Sequence, residues 1–109
     1  MAISRERWQN LTLAEQLGNI GSEVGRAATW QGKDEKYFWG AVTRALELFD
    51  LTREDKRWRN RLMEINRAFE TFADAVLGGN VYQSNLKDLE QYFMLFALHA
   101  NAKKAVLDI

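Results

Sequence analysis

The sequence predicts an all-α domain folded as an up-and-down bundle of four helices. Proline is absent from the 109 residues, and apolar residues recur at steps of three and four along most of the chain. Capping signals also precede the periodic segments. Short connections between long amphipathic helices favour antiparallel neighbours. The predicted helices span about 12–30, 34–51, 53–77 and 86–104 within a single domain, 1–109, and a three-helix core with an early helix docked outside is the alternative.

The first predicted helix begins at Thr12, which has the spacing of a capping box with Glu15. Its apolar stripe is formed by Leu13, Leu17, Ile20, Val24 and Ala27. Small residues also recur along it: Gly18, Gly21, Ser22 and Gly25. A glycine inside a helix costs about 1 kcal/mol relative to alanine. These positions therefore indicate the close approach of a neighbouring helix or a second subunit, or room for a ligand.

The second and third predicted helices follow Asp34 and Thr52, each suited to a helix N-cap. The second buries one face, formed by Phe38, Ala41, Val42, Ala45, Leu46 and Phe49. The third has the most regular pattern in the chain, with apolar residues at steps of four and three: Trp58, Leu62, Ile65, Phe69, Phe72 and Val76. This pattern predicts a continuous buried seam from Trp58 to Val76, closed by Gly78, Gly79 and Asn80.

The fourth predicted helix begins with the start signal of Asn85 and Asp88. One stripe contains Leu86, Leu89, Phe93, Phe96 and Ala100, and further apolar residues surround the middle of the helix: Tyr92, Met94, Leu95 and Leu98. A helix that is apolar on several faces lies at the centre of a fold or is covered by a partner.

Composition excludes several functional classes. Fifteen basic residues balance fifteen acidic ones, so no net field would attract a polyanion or a membrane surface. The absence of cysteine excludes disulfides, thiol chemistry and thiolate metal sites. No signal-peptide pattern occurs, and no apolar run approaches the roughly 18 residues that span a bilayer. We expect a cytoplasmic protein with no membrane contact.

The chain has no recognisable catalytic, cofactor-binding or metal-binding motif. Di-metal bundles use Glu-x-x-His pairs, but the only histidine, His99, has Phe96 at that spacing. A helical ribonuclease of the HEPN type is disfavoured, because no arginine precedes His99 at the spacing of its signature. An enzyme with His99 and carboxylates of the first helix as acid and base is the least favoured hypothesis. We expect no cofactor and no metal.

A basic stretch at 53–67 is the best nucleic-acid signal in the chain, with six basic residues against three acidic ones. The candidate phosphate contacts are Arg53, Lys56, Arg57, Arg59 and Arg61. Trp58 lies among them, but its position on the apolar seam predicts burial. An ordinary salt-bridged surface is the alternative, because Arg61 and Glu64 have the spacing of a helical ion pair.

Aromatic and small residues supply the candidate protein interface. Exposed tryptophan and tyrosine are common at interfaces, which makes Trp8, Trp30, Trp39 and Tyr82 candidates, although such residues can equally close the ends of a small core. The interface prediction comprises Gly18, Ser22, Gly25, Trp30, Trp39, Tyr92 and Leu95. The favoured function is a non-enzymatic, self-associating accessory or adaptor subunit, and nucleic-acid binding is the alternative.

Two segments, LTLAEQLGNIGSEVGR at 11–26 and RALELFDLT at 44–52, resemble a group of small prokaryotic helical proteins. The resemblance covers about residues 8–98, since GGNVYQS and LEQYFMLFAL are similar to their closing segment. It implies no activity. More distantly, the architecture is similar to four-helix-bundle proteins linked to ribosomal-RNA intervening sequences and to accessory subunits of diversity-generating retroelements. That analogy implies ring-like oligomers that bind nucleic acid or a reverse transcriptase, but those families are basic whereas this chain is neutral.

Overall fold

The computed structural model describes residues 3–78 and 85–107, with side chains as far as residue 98. This part of the chain forms α1 (Arg5–Gln9), α2 (Leu13–Trp30), α3 (Glu35–Arg53), α4 (Leu62–Val76) and α5 (Leu86–Leu107), with a 3-10 helix (Lys56–Arg61) before α4. No strand occurs in it. The predicted all-α class is confirmed, and α1 is an additional element that the sequence pattern did not indicate.

Side-chain caps begin α2, α3 and α5 at the residues where the sequence predicts them. Thr12 Oγ1 accepts a hydrogen bond from the Glu15 amide at 3.1 Å, and Glu15 Oε1 accepts one from the Thr12 amide at 2.9 Å. Asp34 caps α3 by accepting from the Tyr37 amide at 3.0 Å, and Asn85 caps α5 by accepting from the Asp88 amide at 2.9 Å. Each cap joins residues three apart, which is why the sequence alone located them.

Two glycines follow helix ends with positive φ angles, a conformation that costs glycine little. Gly32, after α2, has φ 75°, and Gly78, after α4, has φ 110°. Gly78 therefore closes α4 as predicted. Gly79 and Asn80, named with it, lie outside the described residues.

Helix α2 lies between α3 and α5 and is antiparallel to both. On the α3 side, Glu23 accepts a hydrogen bond from Arg44 at 3.0 Å, and the rings of Trp30 and Tyr37 are 5.0 Å apart. Residues later in α2 therefore contact residues earlier in α3, as expected for an antiparallel pair. On the α5 side the same reversal holds, because Gly18 faces Ala97 and Gly25 faces Glu90.

The core is formed by residues of all five helices, and its aromatic centre is Phe49 of α3. The Phe49 ring lies 5.6 Å from Phe69 and 5.8 Å from Phe72 of α4, and 6.0 Å from Phe93 of α5. Phe49, Phe72 and Phe93 are fully buried. These rings hold α3, α4 and α5 together, and Phe93 also packs against Gly21 of α2.

The third predicted helix is not continuous, which corrects the predicted seam. Trp58 has φ −104° and ψ 22°, outside the helical range, and its side chain is only half-buried. Leu62 is 37% exposed. The buried face of α4 instead contains Ile65, Ala68, Phe72 and Ala75. The periodic pattern is real from Ile65 onward, but tertiary hydrogen bonds give the segment before α4 another conformation.

Thr52 is also placed differently from its predicted role as a cap. It lies inside α3 and is fully buried, and Asp55 provides the cap of the next helical segment by accepting from the Arg57 amide. The cap therefore lies three residues later than predicted, because Thr52 and Asp55 make the buried contacts described below. None of the described helices is long and apolar enough to cross a membrane.

Candidate interaction surfaces

A buried polar network ties α1, α2, α3 and the 3-10 helix together at one end of the fold. We call it the polar clamp, and its members are Trp8, Gln16, Thr52, Asp55, Arg57 and Trp58. Gln16 is fully buried at its centre. Its Nε2 donates to the Trp8 carbonyl at 2.8 Å and to Asp55 Oδ2 at 3.2 Å, while its Oε1 accepts from Trp58 Nε1 at 2.9 Å.

Asp55 and Arg57 form the charged part of the polar clamp. The Asp55 side chain is 3% exposed, and Arg57 Nη2 donates to Asp55 Oδ2 at 2.7 Å and to the Leu11 carbonyl at 2.8 Å. Hydrogen bonds from Arg57 and Gln16 lower the pKa of Asp55 against the opposing effect of burial. Asp55 therefore remains a buried carboxylate that accepts hydrogen bonds from two parts of the chain.

The prediction that Trp8 is an exposed interface residue is wrong. Trp8 is 1% exposed, and its Nε1 donates to Thr52 Oγ1 at 3.0 Å, which makes it part of the polar clamp. A buried indole N–H needs an acceptor, and Thr52 supplies it. Little in the sequence indicates this network. The available signal was Gln16, a polar residue four positions before Ile20 on the apolar side of the first predicted helix.

The basic stretch is largely occupied by contacts within the chain. Arg57 belongs to the polar clamp, and its guanidinium carbon lies 4.4 Å from the Trp58 ring centroid. Arg53 lies over the Phe69 ring at 4.5 Å, and Arg61 pairs with Glu64 at 2.9 Å, as its spacing predicts. Of the five candidate phosphate contacts, Lys56 and Arg59 remain as exposed cations on the 3-10 helix.

The glycines of α2 provide the close helix contact that the sequence predicts, and the neighbour is α5 of the same chain. A Cβ atom on Gly21 would overlap Phe93 Cβ, and one on Gly18 would lie 3.1 Å from Ala97 Cβ. Gly25 is buried beneath Glu90. Gly18 and Gly25 are therefore covered by α5, whereas Ser22 on the same helix is exposed.

Aromatic side chains are exposed near the turn between α2 and α3. Trp30 is 37% exposed, Tyr37 57% and Trp39 49%. Trp30 packs against Tyr37, and Trp39 packs edge-on against the buried Phe38. Both tryptophans predicted for the interface thus present part of their rings to solvent, whereas Tyr82 lies outside the described residues.

The largest concentration of exposed apolar side chains on one helix is on α5. Tyr92, Met94, Leu95 and Leu98 are 41%, 50%, 66% and 59% exposed, and we call these four residues the α5 patch. The buried side of the same helix contains Leu86, Leu89 and Phe93. The central part of α5 is therefore apolar toward both the core and the solvent.

A groove of about 430 Å³ separates α4 from α5 and adjoins the α5 patch at Tyr92. We call it the α4–α5 groove. Ala68, Leu89 and Tyr92 give it apolar walls, and polar or charged residues complete its lining: Glu64, Arg67, Thr71, Asn85 and Asp88. Burial and the nearby Glu64 carboxylate raise the pKa of Tyr92, so its phenol stays neutral at physiological pH.

Among the described residues, no group of three or more histidine, cysteine, aspartate or glutamate side chains is arranged to hold a metal ion. The side chain of His99, the candidate general base, lies outside the described part. No family model, no curated protein and no solved structure matches this chain.

Proposed function

We propose that the protein is a non-enzymatic interaction module that self-associates through the α5 patch and serves as an accessory or adaptor subunit. The observation that carries the proposal is the exposure of four large apolar side chains on one helix: Tyr92, Met94, Leu95 and Leu98. Large exposed apolar side chains grouped on one helix are typical of interaction sites. Tyrosine and methionine are also among the residues enriched at interfaces.

The size of the α5 patch limits the strength of any dimer that it forms. The four exposed fractions amount to about two whole side chains, and burying one such side chain contributes roughly 1.5–3 kcal/mol. Covering the patch in both copies therefore gives at most about 12 kcal/mol, against an association cost of at least about 4 kcal/mol. The dimer is therefore no tighter than a Kd of about 1 µM.

A second copy is the proposed occupant because the chain is electrically balanced, with 15 acidic and 15 basic residues. Two copies therefore meet without net repulsion. The proposal uses the up-and-down four-helix arrangement expected from the sequence. That arrangement is supported by the antiparallel packing of α2 against α3 and α5, and by the contacts of Phe49 with α4 and α5.

Analytical ultracentrifugation between 1 and 100 µM tests the proposal. We expect a monomer–dimer equilibrium for the wild type and a monomer for Leu95→Glu, since Leu95 is 66% exposed and its replacement leaves the core intact. Tyr37→Glu is the matched control: Tyr37 is 57% exposed in the first turn of α3, and its ring packs against Trp30 of α2. A wild-type chain that stays monomeric at tens of micromolar contradicts self-association.

Nucleic-acid binding is the alternative, and the exposed Lys56 and Arg59 are the residues that favour it. It predicts steeply salt-dependent binding that weakens in a Lys56→Ala, Arg59→Ala double variant. Arg57→Ala is unsuitable as the test, because it removes a member of the polar clamp. Absence of a mobility shift at low salt would eliminate this alternative.

A further inference from the structure

Methionine supplies all the sulfur of this chain, which contains Met1, Met63 and Met94 and no cysteine. No thiol therefore competes with the thioethers for an oxidant. Met94 belongs to the α5 patch and is 50% exposed, whereas Met63 projects from the first turn of α4 and is 86% exposed. Solvent thus reaches one thioether inside the proposed interface and another outside it.

Met94 lies beside the leucines of the α5 patch. Leu95 follows it directly, and Leu98 lies four residues later, a spacing that makes two side chains neighbours on a helix. The unbranched thioether of methionine adapts to an uneven apolar surface. Oxidation to the sulfoxide makes the same side chain polar, and its oxygen then loses free energy if it is buried without a hydrogen-bond donor. Leu95 and Leu98 offer no such donor.

We propose, on the basis of the proposed self-association, that Met94 is an oxidation site through which a hydroperoxide dissociates the dimer. With hydrogen peroxide, the Met94 sulfur lone pair attacks one oxygen, so that an S–O bond forms as the O–O bond breaks. The departing hydroxide takes the proton of the transferred oxygen and leaves as water. Sulfur loses two electrons and the peroxide gains them. Methionine sulfoxide reductases restore the thioether, so the change is reversible.

The limited strength of the dimer gives the oxidant access to Met94. With a Kd no tighter than about 1 µM, free chains are present at equilibrium, and in the free chain half of the Met94 side chain is exposed. A second copy covers the α5 patch and protects it. Oxidant and second copy therefore compete for one side chain, so oxidation favours the monomer and a high protein concentration slows the oxidation of Met94 but not of Met63.

Analytical ultracentrifugation before and after treatment with hydrogen peroxide tests the proposal, with peptide mass spectrometry to measure the sulfoxide at each methionine. A dimer of oxidised chains contains two sulfoxides, and we expect its Kd to rise at least ~10-fold while circular dichroism still shows a folded helical protein. Treatment with the two epimer-specific methionine sulfoxide reductases should return the Kd to its original value.

Three variants assign the effect to one side chain. Met94→Leu keeps the volume and the apolar character of the residue, so we expect a dimer like that of the wild type that peroxide leaves intact. This variant retains Met1 and Met63. Met63→Leu should dissociate on oxidation as the wild type does. Met94→Gln places a polar side chain of similar length in the α5 patch, and we expect it to weaken the dimer at least ~10-fold without peroxide.

The outcomes separate this inference from the proposed function. An unchanged Kd for wild-type protein that carries the Met94 sulfoxide overturns the inference and leaves self-association standing. The same conclusion follows if peroxide dissociates Met94→Leu, or if Met94 resists peroxide in dilute protein while Met63 is oxidised. An untreated wild-type chain that is monomeric over the whole concentration range overturns both.

Discussion

Replacing Gly21 with alanine tests the close packing of α2 against α5. The new Cβ would overlap Phe93 Cβ, and Phe93 is fully buried, so the overlap cannot be relieved by moving the end of a flexible side chain. The helices must separate, and overpacking of this kind typically costs about 1–3 kcal/mol. Alanine also regains about 1 kcal/mol of helix propensity. We therefore expect a net loss of stability of up to about 2 kcal/mol for Gly21→Ala.

Gly25→Ala is the matched comparison on the same helix face. Its Cβ would meet the Glu90 carboxylate, which is the far end of a flexible side chain and can move aside. The gain in helix propensity then dominates, and we expect a stability equal to or up to ~1 kcal/mol above that of the wild type. Gly18→Ala should fall between the two, because its neighbour is Ala97 at 3.1 Å.

Urea denaturation followed by circular dichroism at a low, fixed protein concentration measures these differences. A loss of 1 kcal/mol lowers the urea midpoint by about 0.3–1 M for a slope of about 1–3 kcal/mol per M, so differences of this size are readily measured. Performing the series in the Leu95→Glu background removes any contribution from association. Equal stabilities for Gly21→Ala and Gly25→Ala, or a reversed order, would refute the reasoning from helix contact.

The polar clamp supports two further predictions. Asp55 has a lowered pKa in the folded state, so its stabilisation is present above its unfolded pKa of about 3.9 and is lost as pH falls through the folded value. We expect Asp55→Asn to lower the free energy of unfolding by about 2 kcal/mol at pH 7 and to reduce the loss of stability between neutral and acid pH. A loss of stability at acid pH equal to that of the wild type contradicts this. Thr52→Val leaves the Trp8 indole N–H buried without its acceptor and should cost about 1–3 kcal/mol in urea denaturation, whereas Thr52→Ser, which keeps the hydroxyl, should cost less.

Local signals predicted the helices well, because caps and periodic stripes depend on residues three or four apart. Thr12 with Glu15, and Asn85 with Asp88, therefore located the starts of α2 and α5. The continuous third helix was wrong because Trp58 takes part in a hydrogen bond with Gln16, which is 42 residues away in the sequence. The heptad pattern contains no information about a hydrogen-bond partner so distant in the sequence. It therefore assigned Trp58 to the apolar seam.

The exposure of the candidate interface and phosphate-contact residues was predicted only in part, for the same reason. The apolar surplus of α5 was visible in the sequence, and Tyr92 and Leu95 are indeed exposed. Whether an arginine can contact another molecule depends partly on residues far away in the sequence. Arg57, for example, donates hydrogen bonds to Asp55 and to the Leu11 carbonyl. Burial of Trp8 likewise depends on Thr52, 44 residues away.

The position of α2 between α3 and α5 implies an order of events during folding. Helices α2 and α3 are joined by four residues, so they can form a hairpin as soon as both have left the ribosome. Helix α5 contacts α2 through residues that follow the end of α3 by about 40 positions, Glu90, Phe93 and Ala97. Until these have been synthesised, the glycine-lined side of α2 has no cover, and we expect the nascent chain to depend on chaperones most strongly in this interval.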